Sequence, residues 1–355
     1  MEFGVQFFPC VGPEQMSAAD YFAESLAVAT EAERLGFTHA RMVEHYFHRY
    51  GGYSPNPLVF LSALSQRTQT MRLVTGAVLP VFNDPLKLAG EIGMVDALCR
   101  GRLDVGFARA FLKHEFRRFG ISPDESQARF REGIEQIELL LTRENVTHAG
   151  RFHRFENVTS LPRPTTRPRP KFYIAATQTP ETFEFAGRMG YSLMAIPIAG
   201  RIKDLFELYR TSWREAGHPG NGEIMVAFHM LCDEDDSVAR AVAKPHVEDY
   251  FDALAEVTAD WVSEGDAADY RGYRESMSRV RSATMESQID SGSAWIGSPS
   301  SILRQIEKVV ATMGPFEHAS LQVNFSSVGL ERALRSLRLF ASEVMPKVGG
   351  LASAS

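Results

Sequence analysis

The sequence predicts an α/β barrel of eight parallel strands, a TIM-type (β/α)8 fold with insertions. Three observations predict it. Strand-like apolar runs alternate with helical stretches along nearly the whole 355 residues, the order that successive parallel βα units produce. Polar or small residues sit just beyond four of those runs, where a barrel has its active-site mouth. No G-x-G-x-x-G follows a strand and no P-loop occurs, so the competing doubly wound sheet lacks its usual signature.

The elements follow in order. Residues 2–8 read as a strand, and residues 18–35 as a helix stopped by Gly36. Residues 38–43 form the second strand. Residues 56–68 are helical, with Pro57 in the first turn, where the missing N–H would have no helical partner anyway. Residues 71–76 are strand three, 85–98 a helix and 102–107 strand four. In the helix 127–141, Phe130, Ile134, Ile137 and Leu141 share one face. Strand five (171–176), a helix (180–189), strand six (192–196) and a helix (202–216) come next. Strand seven (223–231), a helix (237–254), strand eight (319–325) and a closing helix (331–344) complete the barrel.

Two stretches exceed what a barrel needs. Residues 145–170 carry Pro162, Pro164, Pro168 and Pro170, and residues 255–299 are charged with few large aliphatics. We read residues 1–355 as one barrel domain with insertions at about 145–170 and 255–299. Arg163, Arg167, Arg169 and Lys171 cluster among prolines and read as a solvated connection.

Composition narrows the partners. The net charge of −6, from 44 acidic against 38 basic residues, is spread without long blocks, so neither nucleic acid nor an anionic membrane is expected as a partner. Cys10, Cys99 and Cys232 share no CxxC spacing, which fits a reducing compartment and gives no disulfide or zinc framework. The first strand is not preceded by a basic leader, and no apolar run reaches spanning length; a soluble, cytoplasmic protein is expected. His45 and His48 stand three apart, but in a loop and without H-E-x-x-H, so no metal is expected.

Four strand ends carry the chemistry. Glu44-His45 ends the second. Thr75-Gly76-Ala77 ends the third, with small residues that let a flat ligand approach backbone. Ala108-Arg109-Ala110-Phe111 follows the fourth and supplies a permanent cation. Thr177-Gln178-Thr179-Pro180-Glu181-Thr182 precedes a helix. An ordinary capped helix start accounts for that last segment in part, but not for the surplus hydroxyls or the arginine. Free N–H groups, hydroxyls and a guanidinium together suit phosphate. Phosphate beside a flat apolar slot points to FMN. Phe7, Phe8, Tyr46, Phe47, Phe111 and Ile196 are candidates for the dry wall.

These motifs, in order, resemble the bacterial-luciferase-like, flavin-dependent monooxygenases, and most of all the luciferase catalytic subunit. The matching stretches are Val43–Phe47, Val78-Leu79-Pro80 to Pro85, Gly101–Arg109, Phe116–Gly120, Gly297-Ser298-Pro299 and Leu339–Pro346. The resemblance implies a two-component monooxygenase that takes FMNH2 from a separate flavin reductase and forms a flavin peroxide with O2. It would oxygenate a small apolar substrate, an aldehyde or natural-product intermediate. His45 would be the catalytic histidine, with Glu44 beside it as a second catalytic residue. Thr75-Gly76 falls where the family often has a non-proline cis peptide under the flavin ring. Arg109 and Thr182 match phosphate ligands, with Gln178, Thr179 and Phe111 beside them. Ala108 stands where luciferase has a reactive cysteine, Gln178 replaces an acid, and Ile196-Pro197 replaces a Ser-Trp pair. A homodimer is implied through helices 56–68 and 85–98, with Leu58, Leu61, Leu86 and Met94 as candidate interface residues. Residues 255–299 would hold a lid. The alternatives are a non-catalytic flavin-binding partner subunit and a deazaflavin-dependent oxidoreductase on the same barrel.

Overall fold

On β1 (Glu2–Phe7), Phe3, Val5 and Phe7 are buried on the helix-facing side, Phe3 against Phe340 and Phe7 against Phe60. Gly4 and Gln6 take the alternate, inward positions. The same alternation recurs around a closed barrel. The computed structural model describes residues 1–197 and 202–348. Its strands are β1, β2 (His39–Met42), β3 (Arg72–Val78), β4 (Leu103–Phe107), the hairpin β5 (Val146–Ala149) and β6 (Arg154–Val158), β7 (Lys171–Ala176), β8 (Ser192–Ala195), β9 (Ile224–Cys232), β10 (Ala294–Gly297) and β11 (His318–Gln322). Neighbours in the main sheet run β10-β9-β11-β1-β2-β3-β4-β7-β8, and β8 pairs with β9 to close it. All these pairings are parallel. The closed ring is therefore β1-β2-β3-β4-β7-β8-β9-β11, eight parallel strands.

The helices are α1 (Ala18–Arg34), α2 (Pro57–Ser65), α3 (Pro85–Leu98), α4 (Lys113–Phe119), α5 (Ser126–Thr142), α6 (Pro180–Met189), α7 (Ile202–Glu215), α8 (Asp236–Val257), α9 (Ala259–Glu264), α10 (Tyr273–Val280), α11 (Met285–Ser291), α12 (Pro299–Met313), α13 (Leu330–Glu343) and α14 (Met345–Val348). The barrel floor is closed by charge: Arg72 pairs with Asp104, while Lys171 and His318 both hold Glu223. These contacts pull the Glu223 carboxyl down to about 2, with the His318 hydrogen bond leading.

Three expectations need correcting. Residues 145–170 are not merely a solvated connection. They contain the antiparallel hairpin β5–β6, Arg163 donates to the carbonyls of Leu140, Leu141 and Arg143 at the end of α5, and Arg169 pairs with Glu138 over the Phe172 ring. Arginine suits such a C-terminus, where carbonyls lack helical partners. Residues 255–299 are largely built as well. They hold α9, α10, α11 and β10, and bury Trp261, Tyr270, Met285 and Trp295. The strand β10 extends the C-terminal half of β9 and carries little sequence signal because only four residues form it. Finally, Leu58 and Leu61 lie in the core, whereas Val59, Leu86, Met94 and Leu98 are exposed on α2 and α3.

Candidate active site

His45 lies just past β2, where the chain turns back through Gly51. A Cβ on Gly51 would come within 2.7 Å of the His45 ring, and its φ of +83° suits glycine. The loop is tied down by Ser54, whose hydroxyl donates to the Val43 carbonyl and whose own carbonyl accepts from His45 N. His45 then sits in an aromatic cage, 5.5 Å from Phe8, 5.7 Å from Tyr50 and 5.9 Å from Phe111, centroid to centroid.

The acid that orients His45 comes from 70 residues away. His45 Nδ1 lies 3.1 Å from Oε1 of Glu115 on α4, and the same oxygen accepts from Tyr46 N at 2.9 Å. Glu115 is fully buried and its Oε2 has no partner among the described residues. A carboxylate there makes Nδ1 the donor and leaves Nε2 as the atom free to exchange a proton. Glu44 has other neighbours: it accepts from Tyr46 Oη, Asn83 Nδ2 and Leu79 N. Burial drives its carboxyl up to about 8 against the pull of those three donors. It ties the end of β2 to the segment after β3.

The third strand end differs from expectation. The cis peptide bond joins Gly76 to Ala77, one bond past Thr75-Gly76. The Thr75 hydroxyl is engaged by β4, donating to Gly106 O and accepting from Gly106 N. The space that Gly76 leaves is not open to a ligand. A Cβ there would lie 2.0 Å from Arg41 Nε, and Arg41 donates to Gly76 O from Nε at 3.3 Å and from Nη2 at 3.1 Å.

At the neighbouring ends of β4 and β7 the residues expected to hold an anion come together. Four helices begin with a polar residue and proline: Asn56-Pro57, Asp84-Pro85, Thr179-Pro180 and Ser298-Pro299. Asn56, Asp84 and Ser298 each accept a backbone N–H with the side chain, but Thr179 makes no such bond. Its hydroxyl is left for another partner. Arg109 stacks on Tyr270 at 4.3 Å, and Tyr273 of α10 lies beside both Arg109 and Thr177. Ser276 of α10 donates to Gln178. Thr182, in the first turn of α6, gives its N–H to Thr179 O. The far insertion thus lies over the arginine and the hydroxyl-rich segment. Its base is fixed by Trp261 Nε1 donating to Phe111 O, and by Lys113 and Arg117 of α4 pairing with Glu264.

Of the candidate wall residues, Phe8 and Phe111 face His45. Phe7 packs outward on Phe60. Tyr46 and Phe47 form a separate cluster with Phe82 and Phe119. Ile196 is half exposed.

A buried histidine–carboxylate pair and a cationic, hydroxyl-lined helix start thus share one barrel mouth. The family model for luciferase-like monooxygenases matches residues 1–315. The chain belongs to the luciferase-like monooxygenase family. Among similar solved structures, the monooxygenase RslO1 of Streptomyces bottropensis is 40% identical with a TM-score of 0.86, covering 98% of this chain and 100% of that one. The oxygenating constituent of 3,6-diketocamphane monooxygenase of Pseudomonas putida, in complex with FMN, has a TM-score of 0.81 over 98% of each chain; at 21% identity it speaks for the fold. The oxygenase component of the flavin-dependent trigonelline monooxygenase of Acinetobacter baylyi is 32% identical over 65% of this chain and 64% of its own length. The chain spans about three fifths of the length of the first curated relatives it matches, 60%, 58% and 64%.

Within this luciferase-like barrel, sequence reasoning overlooked Arg41, Glu115 and Tyr273. Arg41 had a signal: His39 and Arg41 alternate on a strand that a parallel barrel buries on both faces. Glu115 had a weaker one, an acid directly before Phe116 in a matching stretch. Tyr273 had none, since only the fold carries it over Arg109.

Proposed function

We propose that this protein is the oxygenase of a two-component monooxygenase that uses FMNH2 and O2 to oxygenate a small apolar substrate. The observation that carries the reading is His45, held by Glu115 in an aromatic cage, at the same barrel mouth as the uncapped Thr179 and Arg109. Bound FMNH2 would supply the two electrons that let one atom of O2 enter the substrate while the other leaves as water. Arg109, the Thr179 hydroxyl and the first turn of α6 at Thr182 would hold its phosphate, with Gln178 alongside. The residues fit a dianion, because the cation has no acid partner among the described residues and the cap hydroxyl is free. Gly76 and Ala77 would offer backbone, rather than open space, to the ring; Thr75 supports β4.

His45 Nε2 would hold or deliver the proton that the reaction needs, with Glu115 fixing its tautomer. Glu44 positions the loop rather than the proton. Phe8, Tyr50 and Phe111 keep water from His45, and α10 covers the cradle. A separate reductase would deliver the FMNH2, and the exposed Val59, Leu86, Met94 and Leu98 support a homodimer. We place the enzyme in the cytoplasm, consistent with three free cysteines and with no described helix long and apolar enough to cross a membrane.

The test is anaerobic titration with FMNH2 and, separately, with a reduced deazaflavin, followed by admission of air. Tight FMNH2 binding with slowed flavin re-oxidation supports the reading. Preference for the deazaflavin, or binding with no reaction with oxygen, would replace it with a deazaflavin oxidoreductase or a non-catalytic subunit respectively.

A further inference from the structure

Four polar side chains form one continuous row across the inner wall of the barrel. Gln6 on β1 is the register partner of Arg41 on β2 and of Gln322 on β11, and Gln322 is the partner of His229 on β9. In parallel strands such partners point to the same face. The row therefore runs His229-Gln322-Gln6-Arg41 over four adjacent strands. All four are more than nine-tenths buried.

Two features of the row point to a ligand. Arg41 bonds Gly76 O through Nε and Nη2, but among the described residues its Nη1 has no partner, and neither has His229 Nε2. No carboxylate pairs with Arg41 among the described residues. The titratable neighbour that bears on it is the Tyr250 phenol, which burial keeps protonated and uncharged, and whose ring lies 4.7 Å from that of His229. A buried, permanent cation with a spare donor and no counter-ion is a costly arrangement in a fold, and folds keep such a charge where something arrives to meet it. Across the barrel from the row, the inward position of β7 carries the short Ala175, which remains partly exposed, and below His229 on β9 the next inward position is the short Ala227. Burial also keeps His229 neutral, its imidazole pulled down to about 4, so Arg41 supplies the positive charge of the row.

We propose that Arg41 is a specificity-determining residue that binds an anionic oxygen of the substrate, a carboxylate on an otherwise apolar molecule, with His229 and Gln322 as its uncharged partners. The aromatic surroundings, Phe8, Tyr50 and Tyr250, suit a flat apolar body attached to that carboxylate. A guanidinium offers the fork that a carboxylate matches, which a lysine in the same place would not. This deepens the monooxygenase reading by naming a substrate class and rests on it.

The test reads binding without turnover, so it stands apart from whether the protein oxygenates anything. Oxidised-FMN-loaded protein is titrated with 2-naphthoate and with the neutral 2-naphthaldehyde, followed by tryptophan fluorescence and calorimetry. The wild type is expected to bind the carboxylate at least tenfold more tightly. Arg41→Met should abolish that preference while leaving the aldehyde and FMN affinities within about twofold, and Arg41→Lys should restore part of it. Equal affinity for the two probes in the wild type, or binding of neither below millimolar concentration, would overturn the proposal without needing a variant. So would an Arg41→Met protein that loses FMN affinity but keeps the carboxylate preference, since the cation would then serve the cofactor. A protein that takes up neither oxidised FMN nor, under anaerobic conditions, FMNH2 refutes the function reading instead.

Discussion

Replacing Glu115 separates an orienting role from a merely structural one. Its Oε1 accepts from His45 Nδ1 at 3.1 Å and from Tyr46 N at 2.9 Å in a fully buried setting. Glu115→Gln keeps the shape and an acceptor for Tyr46 N but removes the charge from the His45 bond. A hydrogen bond to a charged group contributes ~1.5–3 kcal/mol and a neutral one ~0.5–1.5, so the change is about 1–2 kcal/mol. That corresponds to roughly a tenfold effect on any step that needs the oriented imidazole. Glu115→Ala instead strands both donors and leaves a cavity, which should destabilise the fold by ~3–5 kcal/mol. The assay is hydrogen peroxide release after FMNH2-loaded protein meets air, together with FMN affinity and urea unfolding. Glu115→Gln should unfold within ~1 kcal/mol of wild type, bind FMN within about twofold, and release peroxide roughly ten times faster. His45→Ala should do the same, and the double variant should add little to either, because the two side chains act as a unit. Wild-type release from Glu115→Gln, or full additivity in the double variant, would refute the pairing.

Arg109→Ala should weaken FMN binding about a hundredfold in equilibrium titration, given a charged pair worth ~1.5–3 kcal/mol; unchanged affinity in a folded variant would move the phosphate elsewhere. Glu44, whose carboxyl burial lifts from 4.5 to about 8, binds its proton more tightly folded than unfolded. Its contribution to stability is therefore present below 4.5 and lost as pH rises through about 8. Glu44→Gln should remove that part of the decline, measured as Tm from pH 5 to 9; an identical pH profile would mean Glu44 is charged throughout. Replacing Tyr273–Val280, a helix without buried residues, by a Gly/Ser segment of equal length should keep the fold and FMN binding but speed peroxide release several-fold; parental release rates would show that α10 is no lid. Met94→Asp combined with Leu98→Asp should convert a dimer to a monomer by light scattering, and a wild type already monomeric at micromolar concentration would remove the interface.

What could be read from the chain beforehand follows from the range of the interactions. Strands such as Leu103–Phe107 and Lys171–Ala176 declare themselves locally, because a strand buried on both faces must be apolar nearly throughout. Ala294–Gly297 escaped because four residues within a charged stretch do not outweigh their surroundings, and it is a strand because β9 outruns its other partners and leaves an edge there. Leu58 and Leu61 looked the same as Val59 in sequence; only the rotation of α2 against β3 sends the leucines inward and the valine out. His45, Arg109 and Thr179 stood out as candidates because each follows a strand, where a barrel collects its chemistry. Glu115 and Arg41 were not, since each is defined by a partner on another strand or helix.

The coupling through α4 shows most directly what the fold adds. Its seven residues carry Glu115, which orients His45, and also Lys113 and Arg117, which hold Glu264 and Asp260 at the base of the far insertion. Trp261 of that base donates to the Phe111 carbonyl, and Phe111 in turn packs on His45. The covering segment and the His45–Glu115 pair therefore share one short helix and one aromatic ring. Displacement of the covering segment must load the same residues that fix the imidazole. In this arrangement, water exclusion and His45 orientation are expected to be lost together rather than one at a time.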